Sequence, residues 1–440
     1  MTNPDPAPIP LPSDNADSAR VFLEAHGLFA QNPPIRASHF ALGLSDPFLY
    51  YLSVRLGLVP FFSYSEALTR GSWFHTAMQA VFSADPARFR HNATIARINE
   101  LKSIGRTLGV SPSSLRLFLD REDRDRQTAY AWSQLLLDLP LQSSSNPTLR
   151  HLLNKYNVLG AETVLRCPIT FNHITLQRTI QADLLLHNPD DNTIWILDWK
   201  TCSEPPIDRL AKAPFEMATH HYLSVVSDLI SSGEFQSFFN LPLDVRLGGF
   251  IHVAFQKCPL RFGQNDRPYE YKRRTLSRGP RKGQEITELE YYGEPSFALY
   301  LGRCTEWYTR TGRYASEPFE SPPLNISIIN AGILLDSTAL ETYHSRLNYL
   351  HSLNTRHPYP SNFLANPDSI VGFGGSPSPY APFYANPVSQ WPRIIGEERF
   401  IVRHRDDPES LSPVTLAKDP HAQEEDQEEE PQVPPQLGPA

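Results

Sequence analysis

Two aspartates and a lysine stand out in the segment Thr179–Thr201, which reads TIQADLLLHNPDDNTIWILDWKT. Asp198 and Lys200 are two residues apart in an apolar run, so on a β-strand both side chains would project from the same face. Asp183 lies in the apolar run before it. Charged groups are rare in buried strands unless they are paired or bind a metal. A salt bridge between Asp198 and Lys200 is the alternative to a functional site.

These residue types suit the hydrolysis of phosphodiester bonds. Two carboxylates that converge at the ends of neighbouring strands offer oxygen ligands, which Mg²⁺ and Mn²⁺ prefer. A lysine beside them can hold a water molecule or a phosphate oxygen. Metal-assisted hydrolysis requires an activated water and neutralisation of the charge on the phosphate. The sequence therefore predicts a Mg²⁺ site, at which Mn²⁺ would substitute, formed by Asp183 and Asp198.

The elements that must position these residues form a helical part followed by an α/β part. Helical patterns dominate residues 35–138, and the apolar spacing within 71–84 fits an amphipathic helix that carries His75. The later pattern predicts strands at 162–171, 174–187, 193–201 and 246–256, and helices at 214–232, 296–312 and 334–353. The predicted fold class is α/β, a mixed central β-sheet flanked by helices.

Charge does not exclude an anionic partner. The chain of 440 residues has a formal net charge of -8, but residues 419–440 hold seven acidic residues and no Lys or Arg. Without this tail the chain is nearly neutral, and it contains the basic run KRRTLSRGPRK at 272–282. The basic residues of this run are Lys272, Arg273, Arg274, Arg278, Arg281 and Lys282. They predict contacts with DNA phosphates, and a solvated basic loop is the alternative.

Several classes of protein are disfavoured by the sequence. The four cysteines lie far apart without a C-x-x-C pair, which argues against structural zinc, an iron–sulfur cluster and a disulfide scaffold. The N-terminus lacks the basic and apolar regions of a signal peptide. The most apolar stretch, 40–62, is interrupted by Asp46 and Arg55, so it does not predict a membrane span. We therefore expect a cytoplasmic protein that does not contact a membrane.

Six sequence blocks, in their order, resemble the PD-(D/E)xK nuclease superfamily and, within it, the RecB- and RecE-like (phage-type) exonucleases. The blocks are ASHFALGLSDPFLYYLSVRLGL (37–58), RGSWFHTAMQAVF (70–82), AETVLRCPITF (161–171), QADLLL…WILDWKT (181–201), GGFIHVAFQKCP (248–259) and FALYLGRCTEWYTRTGRY (297–314). No single block is specific, whereas their order and spacing together are. The resemblance implies a restriction-endonuclease-like core over roughly 35–318.

The resemblance also implies a role for each candidate residue. The implied metal ligands are His75, Asp183, Asp198 and the main-chain carbonyl of Trp199, and the implied catalytic residues are Lys200, Asp198 and Asp183. Glu162 matches an acid found at this site in some members, and an acid on an exposed strand edge is the alternative. For His75 the alternative is a structural histidine beside an apolar helix face.

Two positions depart from the family pattern. The literal Pro-Asp pair is Pro189–Asp190, but its neighbours predict a turn, so we assign the first carboxylate to Asp183. The helix after the lysine usually carries a glutamine and, four residues later, a tyrosine that help to hold DNA. Here Tyr222 and Val226 occupy those positions, and His220 and Tyr222 are the candidate DNA contacts.

The function predicted from these features is a Mg²⁺-dependent deoxyribonuclease, an exonuclease acting at linear duplex ends in recombination or repair. No base-reading module is visible in the sequence, so we expect DNA binding without sequence preference. Two alternatives stay open: a catalytically impaired DNA-end-binding protein on a nuclease fold, and a structure-selective endonuclease. The resemblance also leaves room for a recombination or annealing protein as partner and for an oligomeric assembly.

Four segments are expected along the chain. The 41 prolines cluster towards both ends, which predicts a disordered Pro-rich N-terminus at 1–34 and loosely structured C-terminal flanks. Between them we expect a nuclease domain at 35–320, with a helical part at 35–150 and an α/β core at 151–320. A C-terminal extension at 321–402 and a disordered acidic tail at 403–440 would follow.

Overall fold

The computed structural model describes residues 32–60, 66–141, 148–171, 173–355, 378–386, 390–397, 400–403 and 411–413. The predicted N-terminal segment and acidic tail lie almost entirely outside the described residues. Within the described ranges, every helix is too short or too polar to cross a membrane. The chain forms two compact units, a main unit of Pro33–Ser45 and Ser63–Arg356, and a second unit of Met1–Asn32, Asp46–Phe62 and His357–Ala440.

Helices and strands are numbered in chain order. The helices are α1 (Ala37–Ser45), α2 (Pro47–Tyr50), α3 (Glu66–Val81), α4 (Pro86–Thr107), α5 (Pro112–Asp138), α6 (Leu149–Leu153), α7 (Pro206–Lys212), α8 (Met217–Ser231), α9 (Glu234–Phe239), α10 (Phe297–Thr309), α11 (Ala331–Leu334), α12 (Ser337–Thr355), α13 (Ala381–Ala385) and α14 (Trp391–Glu397). The strands are β1 (Leu58–Pro60), β2 (Asn157–Phe171), β3 (Ile174–Asn188), β4 (Thr193–Cys202), β5 (Arg246–Gln256), β6 (Tyr269–Thr275), β7 (Glu285–Tyr291), β8 (Leu324–Asn330), β9 (Phe400–Arg403) and β10 (Leu411–Pro413).

A five-stranded sheet in the order β2-β3-β4-β5-β8 forms the centre of the main unit. The β4–β5 pair is parallel and the other pairs are antiparallel, so the sheet is mixed. The predicted fold class, a mixed sheet flanked by helices, is confirmed. The boundary expected at 320 is not observed, because β8 pairs with β5 and the main unit extends to Arg356.

Strand β4 is buried on both faces, as expected for a central strand. Leu197 and Trp199 face a core formed with α3, α5 and α10, whereas Ile194 and Ile196 face a second core formed with α8. Burial of each large apolar side chain stabilises the fold by about 1.5–3 kcal/mol. The two cores therefore hold β4 from both sides and fix the positions of the charged residues that it carries.

Helix α3, which carries His75, is held against α5 by polar contacts as well as apolar packing. The indole N–H of Trp73 donates to Glu122 at 2.9 Å, and the Arg70 guanidinium donates to Asp125 at 2.6 Å. Because both acids are buried, removing either partner would leave an uncompensated polar group. These contacts fix the rotation of α3 about its axis.

The second unit contains the small antiparallel sheet β1-β9-β10 and a cluster of aromatic rings. Phe48 packs edge-on against Tyr384 with 4.7 Å between ring centroids, and Phe383 packs against Phe400 at 5.2 Å. Asp46 caps α2 by accepting the Leu49 N–H and also accepts the Tyr384 hydroxyl. Part of the predicted C-terminal extension therefore belongs to this unit.

Candidate active site

Asp183 lies where β3 and β4 stop pairing. The antiparallel ladder ends at Leu184 opposite Leu197, and the Asp183 carboxylate then accepts the Trp199 backbone N–H at 2.6 Å. The side chain is only 7 % exposed. A charge-assisted hydrogen bond of this kind fixes the orientation of the carboxylate. Trp199 itself places its indole in the core, so its main chain is what it presents to the site.

Glu162 reaches the same place through an irregularity in β2. The ladder pairs Ala161 with Leu184 and Thr163 with Ala182, and Glu162 between them has a φ of 51°. This left-handed conformation costs a non-glycine residue about 1–3 kcal/mol and persists only when the surroundings enforce it. The Gln181 amide donates to Glu162 at 2.9 Å.

His75 brings the third donor from α3. Its Nδ1 lies 3.2 Å from a Glu162 oxygen and 3.1 Å from an Asp183 oxygen. The ligand atoms of the three side chains all lie within 4.8 Å of one another. Burial alone would lower the pKa of His75, but the two carboxylates outweigh it and raise the pKa to about 10. His75 therefore carries a positive charge between the buried Asp183 and the partly buried Glu162.

Asp198 and Lys200 project from the same face of β4, as the two-residue spacing predicts. The Lys200 ammonium donates to Asp198 Oδ1 at 2.7 Å. Burial acts to raise the pKa of Asp198, but Lys200 and His252 overcome this effect and lower it. Burial acts to lower the pKa of Lys200, but Asp198 and Asp183 overcome it and raise that pKa. Lys200 is therefore an ammonium ion in this arrangement, whereas a general base would need a lowered pKa.

The donor set fits a hard divalent cation. His75, Glu162 and Asp183 form one cluster, and Asp198 is on the strand beside it. Asp198 Oδ2 is buried and has no hydrogen-bond partner in the part of the chain that the structure describes. A buried carboxylate oxygen without a donor is costly, and a cation would satisfy it. The residues present are therefore chemically suited to Mg²⁺ or Mn²⁺.

A cavity of about 630 Å³ opens onto Asp198 and Lys200 from the α8 side of the sheet. Tyr222 lines this cavity and donates its hydroxyl to the Gln181 carbonyl at 2.7 Å. His220, the other candidate on α8, is buried and donates from Nε2 to the Pro214 carbonyl instead. The structure thus brings Tyr222 to the site but turns His220 away, because the two side chains leave α8 in different directions.

The basic run is a β-hairpin with a basic tip rather than a loop throughout. Its first part lies in β6, which pairs with β7, where Lys272 forms ion pairs with Glu270 and Glu290. Arg274 lies 3.5 Å from Glu288, while Arg273 is exposed on the same strand. At the tip, no residue within the described ranges forms an ion pair with Arg278, Arg281 or Lys282.

The structure clarifies which aspartate lies beside His75, and it adds one histidine that sequence analysis did not identify. Pro189–Asp190 lies in an exposed turn, so Asp183 and not Asp190 is the acid beside His75. Sequence reasoning missed His252, whose Nδ1 lies 3.6 Å from Asp198 Oδ2. The available signal was the polar residue inside the apolar run GGFIHVAF, but the register that places it opposite Asp198 is a tertiary feature.

Comparison with known proteins agrees with this geometry. A family model described as the PD-(D/E)XK nuclease superfamily matches residues 37–237, which include His75, Glu162, Asp183, Asp198 and Lys200. No curated protein matches the chain. Residues 37–237 thus match the PD-(D/E)XK nuclease superfamily in sequence, and they contribute β2, β3 and β4 to the mixed sheet.

Proposed function

We propose that this protein is a metal-dependent deoxyribonuclease of the RecB/RecE-like type, which hydrolyses phosphodiester bonds at the ends of linear DNA. The observation that carries the proposal is the convergence of Glu162, the buried Asp183 and His75 beside the Asp198–Lys200 pair. Buried charge is costly, and strongly shifted pKa values in a cleft mark functional sites. End processing of this kind would serve recombination or repair.

Metal binding would involve Asp183, Asp198 and His75, with Glu162 and the Trp199 main-chain carbonyl as further ligands, and His75 would release its proton as the metal binds. The chemistry supplied by Mg²⁺ at such a site is activation of water and neutralisation of phosphate charge. The protein contributes a prearranged set of ligands, since the Trp199 N–H fixes Asp183 and the Gln181 amide fixes Glu162. Prearranged ligands avoid the cost of ordering them during the reaction.

Lys200 would stabilise negative charge on the phosphate. Its raised pKa keeps the ammonium protonated, and Asp198 holds it at 2.7 Å on the side of the cavity. A positive group prearranged at the position where charge develops lowers the barrier to reaction. The same ammonium would orient the attacking water by hydrogen bonding to its oxygen.

DNA contacts would come from the cavity wall and from the basic hairpin. Tyr222 and Lys200 both line the cavity, and the tip residues Arg278, Arg281 and Lys282 are exposed to solvent. Contacts of lysine and arginine with phosphates carry no sequence information, so binding would be independent of sequence.

The test is digestion of end-labelled linear duplex DNA and of the same DNA as a closed circle, with Mg²⁺ or with EDTA. We expect Mg²⁺-dependent loss of the linear DNA only, abolished by Lys200→Ala. Lys212→Ala is the matched control, because this lysine is exposed and pairs with Glu204 at 3.1 Å. The order of label release gives the polarity of digestion.

Three outcomes would contradict this proposal. Cleavage of the circle would favour the structure-selective endonuclease. Intact DNA despite measurable binding would favour the catalytically impaired end-binding protein. Cleavage that survives either EDTA or Lys200→Ala would exclude the proposed site.

A further inference from the structure

A chain of buried polar groups runs from α8 to the second oxygen of Asp198. Thr219 Oγ1 donates to the Ala213 carbonyl at 2.9 Å and lies 3.1 Å from His252 Nε2. Nδ1, the other nitrogen of His252, lies 3.6 Å from Asp198 Oδ2. All three residues are less than 7 % exposed.

The direction of these hydrogen bonds fixes the imidazole ring. Thr219 has one hydroxyl proton, which it gives to Ala213, so Thr219 accepts from His252 and the Nε2 atom must carry a proton. The ring of Phe250 stacks on the imidazole with 4.4 Å between centroids and an angle of 28°. His252 is therefore held by a hydrogen bond at one edge and by packing on its face.

The parallel register puts this fixed ring directly beside Asp198. His252 on β5 is the ladder partner of Asp198 on β4. A separation of 3.6 Å is too long for a hydrogen bond but close enough for electrostatic interaction. Asp198 Oδ2, which faces His252, can therefore still interact with another group. Lys200 donates a hydrogen bond to the other oxygen, Oδ1, at 2.7 Å.

We propose that His252 is a positioning residue, fixed by Thr219, that orients the Asp198 carboxylate for metal binding. The inference rests on the proposed metal site and extends it by one shell of residues. Outer groups that orient a ligand commonly change metal affinity by about 10- to 100-fold when they are removed. Lys200 and His252 would then face the two oxygens of one carboxylate and restrict its rotation.

His221 on α8 is a buried histidine whose contacts are purely structural. It is fully buried on α8, with Nδ1 2.9 Å from the Tyr343 hydroxyl and Nε2 3.2 Å from the Thr179 carbonyl. Neither partner is a residue of the candidate site. Substitution of His221 therefore serves as the matched control for the loss of a buried histidine.

The test is calorimetric titration of the full chain with Mn²⁺, using wild type, His252→Leu, His252→Asn, Thr219→Val and His221→Leu. We expect His252→Leu to weaken Mn²⁺ binding by about 10- to 100-fold. His252→Asn should recover most of the lost affinity, because its shorter side chain still places a polar amide beside Asp198 Oδ2. Thr219→Val, which leaves the side-chain volume nearly unchanged, should cause a smaller loss of Mn²⁺ affinity, and His221→Leu should cause none. Thermal unfolding of every variant shows whether it is folded.

The outcomes separate this inference from the proposed function. Equal Mn²⁺ affinity in wild type and His252→Leu, or a loss that is the same in His221→Leu, would overturn the role of His252 and leave the nuclease proposal standing. An asparagine variant as weak as the leucine variant would also overturn it, since packing alone would then explain the loss. Failure of the wild type to bind Mn²⁺ would overturn both.

Discussion

The candidate active site and the β6–β7 hairpin both concentrate charge, but they hold it in different surroundings. At the active site, Asp183 and Asp198 are less than 10 % exposed, and one carboxylate oxygen has no hydrogen-bond donor among the described residues. On the hairpin, Lys272 and Arg274 are exposed and pair with glutamates of the same two strands.

Burial determines how much a cluster of charged residues implies about function. Exposed ion pairs contribute about 0–1 kcal/mol and form wherever opposite charges meet. Buried carboxylates cost several kcal/mol each unless a partner compensates, so their survival in a core needs a reason. The five acids and bases of the candidate site therefore carry more functional information than the eleven-residue basic run, although the run is easier to see in the sequence.

The largest effect is expected for Asp183→Asn. Removal of this charge should lower the cleavage rate by about 10³-fold, because a prearranged charged group at the reacting centre is lost. Thermal stability should change little, because the asparagine oxygen can still accept the Trp199 N–H and the lost attraction to His75 is offset by relief of repulsion with Glu162, whose pKa is raised by burial and by Asp183. Single-turnover cleavage and thermal unfolding measure the two effects. If the cleavage rate and the thermal stability both fall, Asp183 is a structural acid. The buried site would then not differ in function from the exposed hairpin.

A smaller effect is expected for acidification. Burial lowers the pKa of His221 to about 3, below the ordinary value of about 6.5 in an unfolded chain. As pH falls below 6.5 the unfolded state binds a proton that the folded state does not, so stability is lost. Between pH 7 and pH 4.5 this group should reduce the free energy of unfolding by about 2–3 kcal/mol. Denaturant titrations should show a weaker pH dependence in His221→Gln, and an unchanged dependence in the exposed control His91→Gln.

The hairpin tip should have an effect on DNA binding alone. Replacement of Arg278, Arg281 and Lys282 by alanine should weaken binding by about tenfold and reduce the slope of log K against log salt by about 3. Binding curves at several salt concentrations measure both values. An unchanged slope would show that the tip does not contact phosphates, and loss of cleavage at saturating DNA would place the tip in catalysis.

The smallest effect is expected within the same hairpin for Lys272→Ala. Glu270 and Glu290 already neutralise this lysine, so DNA affinity should change less than about twofold. Fluorescence anisotropy at one salt concentration is sufficient. A loss as large as that caused by the tip residues would mean that the glutamates release Lys272 when DNA binds.

Apolar periodicity was enough to predict the sheet and its main helices. Strand β5 was predicted at 246–256 and is observed as Arg246–Gln256, because a run of buried β-branched and aromatic residues has few other solutions. The shared face of Asp198 and Lys200 follows from the two-residue repeat of a strand. Strand β8 was missed because it is an edge strand with several half-buried residues, which weakens its pattern.

The arrangement of the site depended on features that local pattern does not encode. Glu162 comes next to Asp183 and His75 through the register of β2 and β3 and has a left-handed backbone there, and His252 comes next to Asp198 through the parallel register of β4 and β5. The interpretation of 272–282 as a loop was wrong for its first part, because the neutralising acids Glu288 and Glu290 lie further along the chain on β7.

A crystal of the protein soaked in Mn²⁺, measured at a wavelength where manganese scatters anomalously, would show whether Asp183 and Asp198 form a metal centre. We expect a strong anomalous peak from a Mn²⁺ ion bound by the carboxylates of Asp183 and Asp198, with His75 beside it, and the loss of this peak in Asp183→Asn. A peak elsewhere, or none at this site at millimolar Mn²⁺, would contradict the claim that these buried acids form a metal centre.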